Sequence, residues 1–116
     1  MTWLVTGGAG YIGAHVVRAL TSAGLPVVVL DDLSSGFADF VPEGVPLVRG
    51  SILDRPLLDA TLAEHGVTGV VHVAGYKYAG VSVQRALHTY EQNVTGTAVL
   101  LAAMETAGVD RIVFSS

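Results

Sequence analysis

A glycine-rich segment directly after an apolar run limits what this chain can fold into more than any other feature. Residues 3–5 are apolar, residues 7–13 read Gly-Gly-Ala-Gly-Tyr-Ile-Gly, and a helical pattern begins near Tyr11. Glycine permits positive φ angles and removes the Cβ atoms that would keep an anion away from the backbone amides. The segment therefore predicts a strand, a tight turn and a helix whose N-terminus can hold a phosphate group.

The glycine spacing fits two patterns, Gly8-x-Gly10-x-x-Gly13 and Gly7-x-x-Gly10-x-x-Gly13, and both are typical of dinucleotide sites. Asp31 supplies the expected acidic residue, since it stands 18 positions after Gly13 and directly follows the apolar run 27–30. A carboxylate there accepts hydrogen bonds from both adenosine ribose hydroxyls and repels a 2′-phosphate, so NAD is expected over NADP. The alternative interpretations are a plain tight turn and a turn-capping carboxylate.

Short apolar runs alternate with helical patterns along the whole chain. The predicted strands cover residues 3–5, 27–30, 46–49, 69–73 and 111–115. The first helix is expected to bury Ile12, Val16 and Leu20; a second begins at the N-cap Asp54, a short one covers 82–88, and a long one covers 91–107. Because the strands are apolar at consecutive positions, we predict an α/β fold with a doubly wound parallel sheet of Rossmann type, strand order 3-2-1-4-5, in one domain over residues 1–116.

Composition excludes several classes of protein. Of 116 residues, 51% are hydrophobic and 14% charged, which suits one globular domain. A net charge of −4 with six scattered basic residues argues against a nucleic-acid partner. No apolar run approaches the roughly 20 residues that span a bilayer, and no secretory signal is visible, so we expect a cytoplasmic location without a membrane partner. Four histidines without metal-binding spacing and the absence of cysteine predict no metal site.

The expected ligand site lies beyond the carboxyl ends of the strands, where the strand order reverses between the first and fourth strands. The segments at these ends are residues 7–13, Asp31 with Asp32, and residues 74–77. Lys77 is the only lysine of the chain, and a lone cation there suits a dinucleotide phosphate. The alternative is an ordinary solvated lysine.

Five segments together resemble the N-terminal part of the UDP-glucose 4-epimerase family, within the extended short-chain dehydrogenases/reductases. They are Thr6–Gly13, Leu30–Leu33, His72–Lys77, Asn93–Thr97 and Phe114–Ser116. The resemblance covers the whole chain. The first and fourth segments are shared with sugar-nucleotide dehydratases and decarboxylases, whereas Ala74–Lys77 followed by Gly80–Val83 is similar to the epimerases in particular.

The resemblance implies an NAD site built from many of these residues. It implies that Gly7, Gly10, Gly13, Tyr11 and Ile12 lie at the pyrophosphate, and that the adenosine ribose is surrounded by Asp31, Asp32, Leu33, Ser34, Ser35 and Gly36. Ser51 and Ile52 would border the adenine. The nicotinamide side would be lined by Val73, Ala74, Gly75, Tyr76 and Lys77, and Asn93 would lie beneath the cofactor. Asn93 could equally satisfy backbone groups inside a helix. Ser51 stands where the family usually has an aspartate, so its contact to adenine would be uncharged.

The resemblance also implies an activity that this chain cannot perform alone. In the family a Tyr-x-x-x-Lys pair and a Ser or Thr act on the sugar 4-hydroxyl, while NAD removes and returns the C4 hydride through a 4-keto intermediate. Val73 stands four positions before the only lysine, so no residue here is assigned as catalytic. We expect a portion truncated after the fifth strand, without the catalytic pair or the UDP-sugar domain, and inactive by itself.

Two other interpretations of the function stay open. One is a free-standing NAD-binding regulatory module, and the other is a portion of a related sugar-nucleotide dehydratase or decarboxylase. A fifth strand without a neighbour on its outer side would expose backbone hydrogen-bonding groups and apolar side chains. For that reason we also expect the chain to self-associate.

Overall fold

The structure is a computed structural model that describes residues 1–33, 36–73 and 91–114, except for the side chains of residues 91 and 92. The strands are β1 (Thr2–Thr6), β2 (Val27–Asp31), β3 (Leu47–Arg49), β4 (Val67–His72) and β5 (Ile112–Phe114). The helices are α1 (Tyr11–Ser22), α2 (Arg55–Glu64) and α3 (Gly96–Ala107), with a 3-10 turn at Ala38–Phe40 and a π-helical turn at Glu91–Thr95. The predicted short helix at 82–88 lies outside the described residues.

The five strands form one parallel sheet in the order β3-β2-β1-β4-β5, which confirms the predicted fold class and topology. At the carboxyl edge, Thr6 of β1 is paired in register with Leu30 of β2 on one side and with His72 of β4 on the other. The order reverses between β1 and β4, so the switch point of the sheet lies between the carboxyl ends of these two strands.

Both faces of the sheet are covered around β1 and β2. One core cluster joins Leu4 of β1 to Leu58 of α2 and Leu100 of α3. The second joins Val5 of β1 to Val17 of α1 on the opposite face. All five residues of β2 are buried, as expected for a strand that is apolar at consecutive positions.

The helix boundaries follow local signals in the sequence. Asp54 caps α2, because its Oδ1 accepts the N–H of Leu57 at 3.2 Å, and Pro56 occupies the first turn. After α1 the chain turns at Gly24, whose φ of 79° is the left-handed conformation that glycine adopts readily at the end of a helix. The N-cap at Asp54 was predicted from the sequence.

The predicted buried face of α1 is wrong at Ile12, whereas Val16 and Leu20 pack against the core cluster that contains Val17. Gly13, Ala14 and Val17 are the buried residues of this helix, whereas Ile12 is 50% exposed and Val16 and Leu20 are only partly buried. The cause is the glycine turn, because Gly13 must face Gly7 for the turn to close, and this fixes the rotation of the helix.

The long helix predicted at 91–107 has the predicted extent but two kinds of winding. Its first five residues, Glu91–Thr95, form the π-helical turn, and the α-helix begins at Gly96. Within the part of the chain that the structure describes, no helix combines the length and hydropathy needed to cross a membrane.

Candidate dinucleotide-binding site

The glycine turn leaves β1 at its carboxyl end. Gly7 has a φ of 73°, a left-handed conformation that favours glycine, and its N–H donates to the carbonyl of Leu30 at 2.8 Å. The N–H of Gly10 then donates back to the carbonyl of Gly7 at 3.2 Å. These two bonds fold the chain tightly between β1 and α1, as the glycine pattern predicted.

Gly13 is required by the closeness of the turn to the helix. A Cβ atom at Gly13 would lie 2.0 Å from the carbonyl oxygen of Gly7, far inside any tolerable contact with backbone. Gly8 is confined in a different way, because a Cβ there would come within 2.8 Å of the Val29 side chain of β2. Glycine at these two positions therefore allows the turn, the helix and the sheet to meet.

The N-terminus of α1 presents backbone N–H groups that no capping side chain occupies. Gly10 is the N-cap, with no side-chain capping bond and no acidic residue in the first turn. The N–H groups of residues 11–13 have no acceptor within the helix, as at any α-helix start, and they carry the positive end of the helix dipole. Among the described residues, a Cβ at Gly10 would meet only the Gly7 carbonyl oxygen, at 3.4 Å, so this part of the chain leaves space beside it.

Asp31, the last residue of β2, braces the glycine turn from the neighbouring strand. It is 9% exposed, and its Oδ2 accepts the N–H of Ala9 at 2.9 Å while its Oδ1 accepts the N–H of Leu33 at 2.8 Å. An ionised carboxylate offers about four acceptor positions, so these two bonds leave acceptor capacity for a ligand. The bond to Leu33 is the turn carboxylate that the sequence left open as an alternative, whereas the bond to Ala9 was not predicted.

The loop after β2 is fastened to the same turn by its backbone. The N–H of Phe37 donates to the carbonyl of Ala9 at 3.0 Å, and a Cβ at Gly36 would lie 2.7 Å from that oxygen. Leu33 adopts a φ of 62°, the only positive φ among the described non-glycine residues. Such a conformation costs about 1–3 kcal/mol and persists where surrounding contacts hold it, here the bond to Asp31.

Ser51 and Ile52 follow β3 and lie beside the end of β2. The N–H of Gly50 donates to the backbone carbonyl of Asp31 at 3.1 Å, while Ser51 Oγ accepts the N–H of Leu53 at 3.0 Å. Ile52 is buried in the core cluster beneath α2 and α3. Ser51 is thus the more accessible side chain of the predicted adenine pair.

The remaining predicted residues divide into two groups. Val73 is buried, and its N–H donates to the Thr6 carbonyl at 3.0 Å, while Asp32 and Asn93 are exposed. Ser34, Ser35, Ala74, Gly75, Tyr76 and Lys77 lie outside the described residues.

A buried polar network beneath this edge was not predicted. Thr6 Oγ1 lies 2.6 Å from His72 Nδ1, and His72 Nε2 lies 3.0 Å from Thr97 Oγ1. A detectable signal was present in the sequence, since a polar residue directly follows two apolar ones at the end of β1 and again at the end of β4.

These features define a class of protein. A glycine turn with a helix N-terminus at the switch point of a parallel sheet, and an acceptor carboxylate at the end of the adjacent strand, are the elements of a dinucleotide-binding doubly wound domain. The chain belongs to the NAD dependent epimerase/dehydratase family, whose family model matches residues 3–116.

Individual relatives agree with this family. The chain is 49% identical over 113 residues to a UDP-glucose 4-epimerase of Azospirillum brasilense, covering 97% of this chain and 32% of that protein. It superposes on the NAD complex of the Thermus thermophilus UDP-glucose 4-epimerase with a TM-score of 0.97 and 40% identity, covering 100% of this chain and 37% of that one. It superposes on the Thermotoga maritima UDP-glucose 4-epimerase with UDP-glucose with a TM-score of 0.96 and 35% identity, covering 100% of this chain and 38% of that chain. The chain spans about a third of the length of the curated relatives it matches.

Proposed function

We propose that residues 1–116 are the NAD-binding domain of a UDP-glucose 4-epimerase. The observation that carries the proposal is the glycine turn clamped to Asp31 and Gly36, next to the uncapped N-terminus of α1. Family membership supports it, as does the similarity to epimerases whose structures hold NAD or UDP-glucose.

The residues of the chain fit such a cofactor. The open space beside Gly10 and the amides of residues 11–13 suit the pyrophosphate, which needs donors and a positive potential. The unused acceptor positions of Asp31 suit the adenosine ribose hydroxyls. Ser51 would reach the adenine side, and Val73, Asn93 and the segment Ala74–Lys77 would line the other half, as the family resemblance implies.

The chemistry that NAD supplies when bound is reversible acceptance of a hydride. The residues of this chain would bind and orient the cofactor, and none of them is assigned a proton transfer. Lys77 is the only lysine and Val73 stands four positions before it, so the 116 residues contain no Tyr-x-x-x-Lys pair. Conversion between UDP-glucose and UDP-galactose is therefore proposed for the protein of the relatives' length, with this chain inactive alone.

The test is a calorimetric titration of the chain with NAD and with NADP. NAD should bind more tightly, because a 2′-phosphate would meet the Asp31 carboxylate. The substitution Asp31→Asn should narrow this preference, whereas Asp59→Asn, which removes an exposed carboxylate of α2, should leave it unchanged. Equal affinity of the unaltered chain for the two cofactors, or tighter binding of NADP, would refute the Asp31 assignment.

We also propose that the chain self-associates through β5. This strand lies at the end of the sheet order, and Val113 and Phe114 are 53% and 52% exposed. A half-exposed apolar edge strand is a template for pairing with a second copy.

A further inference from the structure

Thr6, His72 and Thr97 connect three elements beneath the carboxyl edge of the sheet. Thr6 and His72 are the last residues of β1 and β4, are paired in register, and are buried, with 0% and 4% of their surface exposed. Thr97 is the second residue of α3. The ring of Phe114 on β5 packs edge-to-face against His72, with centroids 5.7 Å apart.

The directions of the hydrogen bonds follow from their partners. Thr97 Oγ1 lies 2.8 Å from the backbone carbonyl of Asn93, which can only accept, so the hydroxyl of Thr97 donates there. Thr97 therefore accepts from His72, and the ring proton sits on Nε2. In the neutral imidazole, Nδ1 is then the acceptor for the Thr6 hydroxyl.

Both ends of this network reach the proposed cofactor site. At one end, Thr6 directly precedes Gly7, and Thr6 Oγ1 accepts the N–H of Val73 at 3.2 Å. At the other end, the bond from Thr97 holds the carbonyl of Asn93 within the π-helical turn, next to the point where the winding becomes α-helical. Side-chain bonds of Thr to the carbonyl four residues earlier compete with regular helix winding.

We propose that Thr6, His72 and Thr97 form a directed hydrogen-bond relay, with the His72 proton on Nε2, that positions the Asn93 turn relative to the glycine turn for cofactor binding. The relay runs from the Thr6 hydroxyl to His72 Nδ1, and from His72 Nε2–H through the Thr97 hydroxyl to the Asn93 carbonyl. His72 is a positioning residue, since it acts through Thr97. The proposal rests on the proposed NAD-binding function.

A matched pair of substitutions separates positioning from general stabilisation. Thr61 of α2 is buried and, like Thr97, donates its hydroxyl to the carbonyl four residues earlier, that of Leu57 at 2.7 Å. Thr97→Val should weaken NAD binding by roughly three- to tenfold, and Thr61→Val should change it by less than about twofold. Equal effects of the two substitutions on NAD affinity would overturn the positioning role.

Two substitutions of His72 test which arm of the relay matters. His72→Gln keeps an amide donor near the Nε2 position, so it should retain more of the NAD affinity than His72→Asn. His72→Asn keeps polar atoms only near the Nδ1 position, so it should behave like Thr97→Val. If the His72→Asn variant bound NAD more tightly than the His72→Gln variant, the hydrogen bond from His72 to Thr97 would not be the one that supports cofactor binding.

Nuclear magnetic resonance of the chain without cofactor tests the relay independently of NAD binding. Long-range proton–nitrogen correlations should find the His72 proton on Nε2, and Thr97→Val, unlike Thr61→Val, should shift the Asn93 backbone resonance. A proton on Nδ1, or an unmoved Asn93 resonance, would overturn the relay. Failure of the unaltered chain to bind NAD would instead refute the proposed function, while these resonances still decide whether Asn93 is positioned.

Discussion

At the scale of single residues, the Asp31 carboxylate serves both the fold and the proposed ligand. Its two oxygens accept the N–H groups of Ala9 and Leu33 at 2.9 and 2.8 Å, so it joins the glycine turn to the loop after β2. A residue whose spacing suggests ligand recognition thus also prepares the shape of the site before any ligand arrives.

Replacing Asp31 with Asn should therefore lower the stability of the chain as well as its affinity for NAD. One of the two acceptor positions becomes an amide nitrogen that faces a backbone N–H, so a buried donor loses its partner. We expect the free energy of unfolding to fall by about 1–3 kcal/mol, measured by urea denaturation.

The control for this prediction is Asp59→Asn. Asp59 pairs with Arg55 at 2.9 Å on the surface of α2, with 44% of its side chain exposed. Replacing Asp59 with Asn should lower the free energy of unfolding by no more than about 0.5 kcal/mol, as for other exposed ion pairs one helical turn apart. Equal losses for the two variants would contradict the bracing role of Asp31.

At the scale of elements, the turn between β1 and α1 determines how the helix lies on the sheet. Gly13 faces the backbone of Gly7, and Val17, one turn further along, enters the core with Val5 and Val29. Ile12 is left half exposed beside the proposed pyrophosphate site. Close contact of glycine with backbone thus outweighs the burial of one large apolar side chain.

The substitution Gly13→Ala should push α1 away from the glycine turn. Its Cβ would lie 2.0 Å from the Gly7 carbonyl oxygen, which belongs to the backbone and cannot move aside like a flexible side chain. We expect the unfolding free energy to fall by more than about 2 kcal/mol, by analogy with overpacking, and NAD affinity to fall at least about tenfold. Thermal denaturation and calorimetry measure the two effects.

Gly24→Ala is the matched comparison at the other end of α1. Gly24 has a positive φ, and no atom of the described residues lies within 4 Å of an added Cβ, so the substitution should lower the free energy of unfolding by about 1 kcal/mol through backbone strain alone. NAD affinity should stay unchanged. A Gly13→Ala variant that kept full affinity would show that the close approach of turn and helix is not needed for binding.

At the scale of the whole molecule, the sheet is covered unevenly. The strands β1 and β2 lie between helices on both faces, whereas β5 carries two half-exposed apolar side chains at the end of the sheet. The register pairs Val113 with Val71, a partly buried residue of the α1 side, so Val113 belongs to that face.

Self-association should therefore depend on Val113. Light scattering after size exclusion should report a dimer or a larger species, and Val113→Lys should shift it towards monomer, because a lysine on this strand opposes pairing. Leu101→Lys, at an exposed apolar residue of α3, should leave the assembly unchanged. A folded monomer at high concentration would refute self-association. Dissociation by Leu101→Lys would show that the contact involves α3 rather than β5 alone.

The parallel sheet, its strand order and the edge of the proposed site could be predicted from the amino-acid sequence. These features follow from local signals, because consecutive apolar residues, capping residues and glycine spacing act over a few positions. Asp31 and the glycines were identifiable for the same reason, since their spacing lies within one strand–helix–strand unit.

The contacts between these parts could not be predicted from the sequence, because they join residues that are far apart along the chain. The bond from Ala9 to Asp31 spans 22 residues, and that from Thr6 to His72 spans 66. Such contacts depend on strand register and on the rotation of each helix, and a rotation that exposes Ile12 does not follow from periodicity. Backbone closeness at Gly13 sets that rotation, and strand pairing brings Thr6 and His72 together, because both require the sheet to be assembled.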